Sequence, residues 1–416
     1  MTSRGAVLFL VAMMLLTGVC NTLLTKYQVN WQTTISSTDM QCVRHCDGDP
    51  DKRKLFNQPV LQTAQMFVGE MGCWLVIGLM TLYNRFFDTA SAAANTEYRA
   101  ISTDDTADIG PDTEEEEEEH GRKGGLLKGF GIILLALPAI CDILGTTLMN
   151  AGLLLVAASI YQMTRGALVL FVGLFSVIFL RRHLFLFQWL ALLGVVTGVA
   201  VVGLAGTIWP DEKVRHSMQA DDSEALSDAT RAIIGVLLIA GAQVFTATQF
   251  VLEEWILENS PIEPIKVVGW EGLFGFLVTV GGMIVMHFIV GRTEAGRYGT
   301  FDIVEGWRQM TQNQAVWLSS LLIMISIGGF NFFGLSVTRS VSATSRSTID
   351  TCRTLFIWVV SLGLGWESFK WLQILGFVIL VYATFLFNGI VKPPLKFLRV
   401  NEEVAPLLAE DPIERP

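Results

Sequence analysis

The chain reads as an all-α polytopic membrane protein, ten transmembrane helices arranged as two inverted five-helix repeats. Three observations predict this. Hydrophobic residues make up 51% of the 416 and charged residues 16%, with a mean hydropathy of +0.49, a balance foreign to soluble domains. Apolar runs of about 20 residues, the length that crosses a ~30 Å hydrocarbon core as a helix, occur ten times. Polar-anchored motifs in the first five runs return in the last five in the same order.

The first run, 6–27, follows Arg4 and has small residues near Gly18 and Cys20, as a secretory signal does. Asn21 and Lys26 extend it to spanning length, so a retained helix is expected. The loop 28–60 follows, placed on the lumenal side, with Cys42, His45 and Cys46. Two thiols in an oxidising lumen form a disulfide, with each other or between molecules, or stay free. Three ligand-capable side chains at this spacing match no zinc module, so no metal is expected.

The second run, 61–82, holds Glu70 among glycines, and the third, 130–153, holds Asp142 beyond a kink expected at Pro138. Between them, the segment 85–128 has twelve acidic residues against five basic, −7 of the chain's −10. Six consecutive glutamates repel one another, so a solvated, disordered loop is expected.

The fourth run, 160–180, places Gln162 and Arg165 inside an otherwise unbroken apolar pattern. An arginine at membrane depth is costly and is read as functional by default. The fifth run, 185–207, closes the first half, 1–207. A linker, 208–231, leads to the second half, 232–391.

Within that half the sixth run, 232–254, contains Gln243 and ends on Glu253 and Glu254, read as interfacial. The seventh, 267–290, carries Glu271. The segment 301–310 fits a short amphipathic helix lying on the lumenal surface. The eighth run, 316–335, holds Asn331 behind Gly328-Gly329, read as a weak point. The ninth, 343–364, holds Asp350 and Arg353, and the tenth is 371–391. The tail 392–416 is placed in the cytosol, with Arg181/Arg182 and Lys392/Lys396 on the same side. Its Glu403, Leu407 and Leu408 match the acidic dileucine pattern read by endolysosomal sorting adaptors.

Laying the halves together superposes the fourth and ninth runs at an offset that matches Arg165 to Asp350. Asp142-x-x-Gly145 matches Asn331-x-x-Gly334, and Gly69-Glu70 matches Trp270-Glu271. Five helices per half is an odd number, so the second half enters the membrane in the opposite sense. Such inverted repeats place a substrate site near the midplane and work by alternating access. Asn21, Asp142, Gln162, Arg165, Asn331, Asp350 and Arg353 are therefore the substrate or gating candidates. Glu70 and Glu271 are the proton-coupling candidates, since a carboxyl that sheds its charge on protonation suits a low-dielectric path. For Arg165 and Asp350 two roles stand: a structural ion pair holding the halves in register, or a gate or anionic-group anchor, with Arg353 as rival partner.

The segments 159–184 (SIYQMTRGALVLFVGLFSVIFLRRHL), 268–276 (VGWEGLFGF) and 343–377 (ATSRSTIDTCRTLFIWVVSLGLGWESFKWLQILGF) resemble solute carrier family 35, subfamily F. The resemblance runs from the first run to the tenth and departs in the acidic and cysteine-bearing loops. It implies the drug/metabolite transporter fold in an endolysosomal or other internal membrane, mitochondrial or Golgi membranes being the alternatives. Fold alone names no substrate.

Carboxylates outnumber arginines in and at the ends of the runs, which leans toward a cationic or zwitterionic solute. Membrane lipid and a small polar solute are the expected partners; nucleic acid and cofactors are not. No phosphate loop, catalytic triad or metalloenzyme spacing occurs, so an enzyme is not expected. The competing class is a non-transporting scaffold that binds partners through its acidic loop and tail.

Overall fold

The computed structural model describes residues 4–29, 42–44, 54–55, 58–96, 129–153, 155–156, 161, 164–208, 225–293, 299, 301–364 and 369–393. They form α1 (Arg4–Val29), β1 (Cys42–Arg44), β2 (Lys54–Leu55), α2 (Pro59–Thr96), a 3-10 turn (Gly129–Leu135) leading into α3 (Ala136–Leu153), α4 (Leu168–Phe179), α5 (Leu186–Ile208) and α6 (Ala225–Asn259). Then come α7 (Pro264–Met286), which continues as a π turn (His287–Gly291), α8 (Ile303–Gln312), α9 (Gln314–Ser340), α10 (Ala343–Gly363) and α11 (Trp371–Phe387).

Every one of the ten apolar runs contains a helix. Seven helices, α1 to α3, α5 to α7 and α9, are long and apolar enough to cross a membrane. The other three fall short for different reasons. Helices α4 and α11 are apolar but brief, and α10 has a buried face of Thr344, Ser345, Arg346, Ser347, Thr348 and Arg353.

Local chemistry starts these helices where the sequence changes character. Pro264 opens α7 at a position where its missing N–H is not needed. Ser342 caps α10 by accepting from the Ser345 N–H at 3.1 Å, and Asn313 caps α9 through the Ala315 N–H at 3.0 Å. Apolar side chains such as Leu75, Leu79, Ile178 and Val378 face outward, while glutamate, glutamine and serine side chains lie buried. That is the reverse of a soluble bundle and suits a lipid solvent.

Helices pair most extensively as α5 with α11, α1 with α9, α3 with α6, and α2 with both α7 and α9. Bare glycine backbone makes two of these contacts possible. On the α2–α9 face, an added Cβ at Gly328 would lie 2.5 Å from the Gly69 carbonyl oxygen. On the α5–α11 face, a Cβ at Gly198 would lie 2.8 Å from the Gly376 carbonyl oxygen, and the reverse holds equally. Helix α2 continues ten residues beyond its apolar span, which ends at Phe86.

Several sequence expectations need correction. Pro138 bends nothing mid-helix: it is the third residue of α3, where a first-turn proline is tolerated, and a 3-10 turn precedes it. Gly328-Gly329 is no break, because α9 is continuous and Gly328 serves close packing instead. The fourth run is not one helix: Thr164 and Arg165 are helical, Gly166 and Ala167 then form a turn, the Ala167 N–H reaching the Thr164 carbonyl at 3.1 Å, and α4 starts at Leu168. The first loop contains a short antiparallel ribbon, Cys42 pairing with Leu55. The surface helix is α8, with Asp302 capping the Glu305 N–H at 3.4 Å. Gln162, Cys46, the Cys42 side chain, residues 97–128 and the tail with Glu403, Leu407 and Leu408 lie outside the described residues.

Candidate functional site

Glu70 of α2, Asp142 of α3, Glu253 of α6 and Glu271 of α7 converge on one layer with Asn331 of α9 and Arg346 of α10. Glu70, Glu253, Glu271 and Arg346 are almost wholly buried, and each carboxylate lies within electrostatic reach of others in the set. Tight helix contacts hold the layer together. Gly272 lets α7 approach so closely that an added Cβ would lie 2.7 Å from the Glu70 Cβ.

The Asn331 Nδ2 donates to Glu70 Oε1 at 2.6 Å. Arg346 Nη1 donates to Glu253 Oε2 at 2.5 Å, and its guanidinium lies 4.2 Å from the Phe250 ring centroid. Gln249 adds a donor to Glu253 Oε1 at 3.0 Å, and Thr146 donates to Asp142 Oδ1 at 3.5 Å. Among the described residues, Glu271 Oε1 and Arg346 Nε have no hydrogen-bond partner. Four carboxylates thus face a single guanidinium.

A second group surrounds Arg353 of α10, seven residues and two turns along the same helical face from Arg346. Arg353 Nη2 donates to Asp350 Oδ2 at 3.2 Å, and its guanidinium lies 4.8 Å from the Phe330 ring centroid. Arg165 and Tyr161 lie within its electrostatic reach. The expected cross-half pair of Arg165 with Asp350 is not made. Asp350 and Arg353 stand one turn apart on one helix and meet without bending anything, while half-buried Arg165 is a helical residue just ahead of the Gly166-Ala167 turn that leads into α4.

Asn21 is buried and accepts from Ser326 Oγ at 3.4 Å. Gln243 donates to the Ile239 carbonyl of its own helix at 3.2 Å, a local role. Near the first loop, Gln28 donates to Ser320 Oγ at 2.7 Å and accepts from Gln62 at 2.9 Å, joining α1, α2 and α9. At the opposite end Glu254 accepts from the Ala343 N–H at 3.1 Å and from Arg182 at 3.3 Å. Arg182 also pairs with Glu258.

Sequence reading counted Arg346 among the arginines of the runs without choosing it as a site residue, and took Glu253 for an interfacial residue. Glu253 is instead 1% exposed, because α6 runs on to Asn259 and so draws it inside. The available signal was Arg346 itself, an arginine in a run whose length requires it to lie within the bilayer.

Comparison with known proteins bears on this arrangement. A family model described as nucleotide-sugar transporter matches residues 126–267. Solute carrier family 35 member F6 of Homo sapiens is 36% identical over 390 residues, 93% of this chain and 90% of that protein. An uncharacterized protein of Schizosaccharomyces pombe is 35% identical over 382 residues, 92% of this chain and 97% of its own length. The UDP-N-acetylglucosamine transporter of Canis lupus familiaris is 25% identical over 276 residues, 64% of this chain and 74% of that protein. A solved crystal structure superposes with a TM-score of 0.53 at 11% identity, covering 93% of this chain and 98% of the other, which concerns the fold alone.

Proposed function

Because the chain belongs to solute carrier family 35, subfamily F, a family of membrane transporters, we propose that it moves a small polar solute across an endolysosomal or other internal membrane. The movement is alternating access by two inverted five-helix halves. The observation that carries this reading is the carboxylate layer. Uncompensated charge inside spans costs at least ~2.5–3.5 kcal/mol per group, and stability alone gives no reason to keep it.

The packing supports ten spans in two halves. Under the repeat, α1 to α5 correspond to α6, α7, α9, α10 and α11. The contact of α1 with α9 then has its counterpart in α6 with α3, α2 with α9 in α7 with α3, and α4 with α6 in α10 with α1. The pairs α2–α7, α4–α10 and α5–α11 each join a helix to its own counterpart.

The charge layer favours a cationic or zwitterionic solute, with proton coupling through the carboxylates. A nucleotide sugar, the class named in the nucleotide-sugar family, is the competing cargo; among the described residues of the core its phosphates would meet Arg165 and Arg353 beside Asp350, Arg346 being held by Glu253. Purified protein in vesicles, offered radiolabelled amino acids, polyamines and UDP-N-acetylglucosamine with and without an inward proton gradient, separates these readings. Saturable uptake of an amine-bearing solute, accelerated by the gradient, is expected. Uptake of the nucleotide sugar alone reverses the charge argument, and no saturable uptake of any probe favours the scaffold.

The organelle is a separate proposal that rests on Glu403, Leu407 and Leu408. Changing both leucines to alanine should shift a fluorescently tagged protein from endolysosomes to the cell surface. An unaltered distribution removes the sorting role.

A further inference from the structure

The two halves hold the same pair of positions with different chemistry. Glu70 on α2 and Asn331 on α9 correspond to Glu271 on α7 and Asp142 on α3. The first pair is made here, Asn331 Nδ2 to Glu70 Oε1 at 2.6 Å. The second is not: Glu271 Oε1, on a residue 6% exposed, has no partner among the described residues, and Asp142 Oδ1 turns to Thr146 at 3.5 Å.

When one half of an inverted repeat rocks against the other, the halves exchange conformations. The opposite-facing state therefore brings Glu271 to Asp142 as Glu70 now meets Asn331. An amide donates to a carboxylate unaided, whereas two carboxylates repel and can join only through a shared proton.

We propose that Asp142 and Glu271 form a proton-binding pair whose occupation by one proton allows the opposite-facing state to close. Glu70 is its proton-independent counterpart. The proton arrives from the aqueous side to which the open pair is exposed, is shared as O–H···O⁻, and leaves when the pair parts. The Glu70–Asn331 bond breaks and re-forms with no proton exchanged.

The surroundings define what else titrates nearby. Facing Glu271 are Glu70 from α2, Asp142 from α3, Glu253 from α6 and Arg346 from α10. Arg346 is bound to Glu253 and reaches Asp142 and Glu271 as well, one guanidinium shared among all the carboxylates of the layer. The thiols of Cys73 and Cys141 lie beside Glu70 and Asp142. On α7 itself Lys266 pairs with Glu263 at one end, and His287 faces Asp302 beyond the other. The neighbouring carboxylates are already engaged, Glu70 by Asn331 and Glu253 by Arg346 and Gln249.

This inference rests on the alternating-access reading, and its experiment requires no solute. Infrared difference spectra of the reconstituted full-length protein, taken between neutral and mildly acidic pH, report the carbonyl stretch of a protonated buried carboxyl. Exposed carboxylates remain ionised there, since they protonate near pH ~4. The wild type should show the band, Asp142→Asn and Glu271→Gln should each lose one and the same component of it, and Glu70→Gln should keep that component. Asp142→Asn gives the second half the amide of the first and is expected to fold; Glu271→Gln makes the same test from the other side. No band in the wild type, no component lost in common by both variants, or loss of that component in Glu70→Gln overturns the proposal. Failure of the transport reading is detected separately by the vesicle uptake panel.

Discussion

Arg346→Met is expected to destabilise the protein by ~3–5 kcal/mol, because removing one partner of a buried ion pair leaves the other charge uncompensated. Glu253 is 1% exposed and lies among Glu70, Asp142 and Glu271, so no replacement cation is at hand. The loss includes packing: the guanidinium stacks on Phe250 and fills the space beside Gly334, where an added Cβ would come within 2.9 Å of Arg346 Nε. The pair is not the cheapest way to build this core, and the double variant Arg346→Met/Glu253→Leu should recover most of the loss. Unfolding in detergent checks both. A single variant within ~1 kcal/mol of wild type would mean that Glu253 finds another partner.

Gly69→Ala is the second large effect. A methyl there meets the Met324 carbonyl oxygen and approaches the Met324 Cα to 2.7 Å and its carbonyl carbon to 2.8 Å. These are backbone atoms of α9 and cannot rotate away, so the helices must separate. Overpacking of this kind costs ~1–3 kcal/mol, and the separation also lengthens the Glu70–Asn331 bond one residue along. Gly72→Ala is the control on the same helix. Nothing lies within 4 Å of its added Cβ, so this change should stabilise α2 by up to ~1 kcal/mol through helix propensity. Equal melting shifts for the two variants would show that the α2–α9 contact yields.

Much of the fold was legible because bilayer thickness sets helix length and lipid sets composition. Each apolar run therefore located a helix, and the surface helix appeared within two residues at each end. Helix ends were less legible. A turn at Gly166 and Ala167 interrupts the fourth run before α4 begins at Leu168, since hydropathy does not show a turn inside an apolar run. The site was legible as a set of residues and not as pairs. Glu70 and Asn331, chosen separately, meet in the structure, while Arg165 and Asp350, paired by repeat register, do not. Register fixes which positions correspond, but partners follow from which side chains each helix brings within reach. Arg353, one turn from Asp350, was the nearer cation.

The length of α2 bears on how the acidic segment is joined to the bundle. Past Phe86 the helix runs on to Thr96, ten residues, which at 1.5 Å each is ~15 Å of rigid rod. The charge-dense stretch with its glutamates 114–119 follows that extension in the chain and is joined to the bundle through it. Whatever pulls on that stretch therefore pulls on α2, the helix whose Glu70 is bonded to Asn331 in the carboxylate layer.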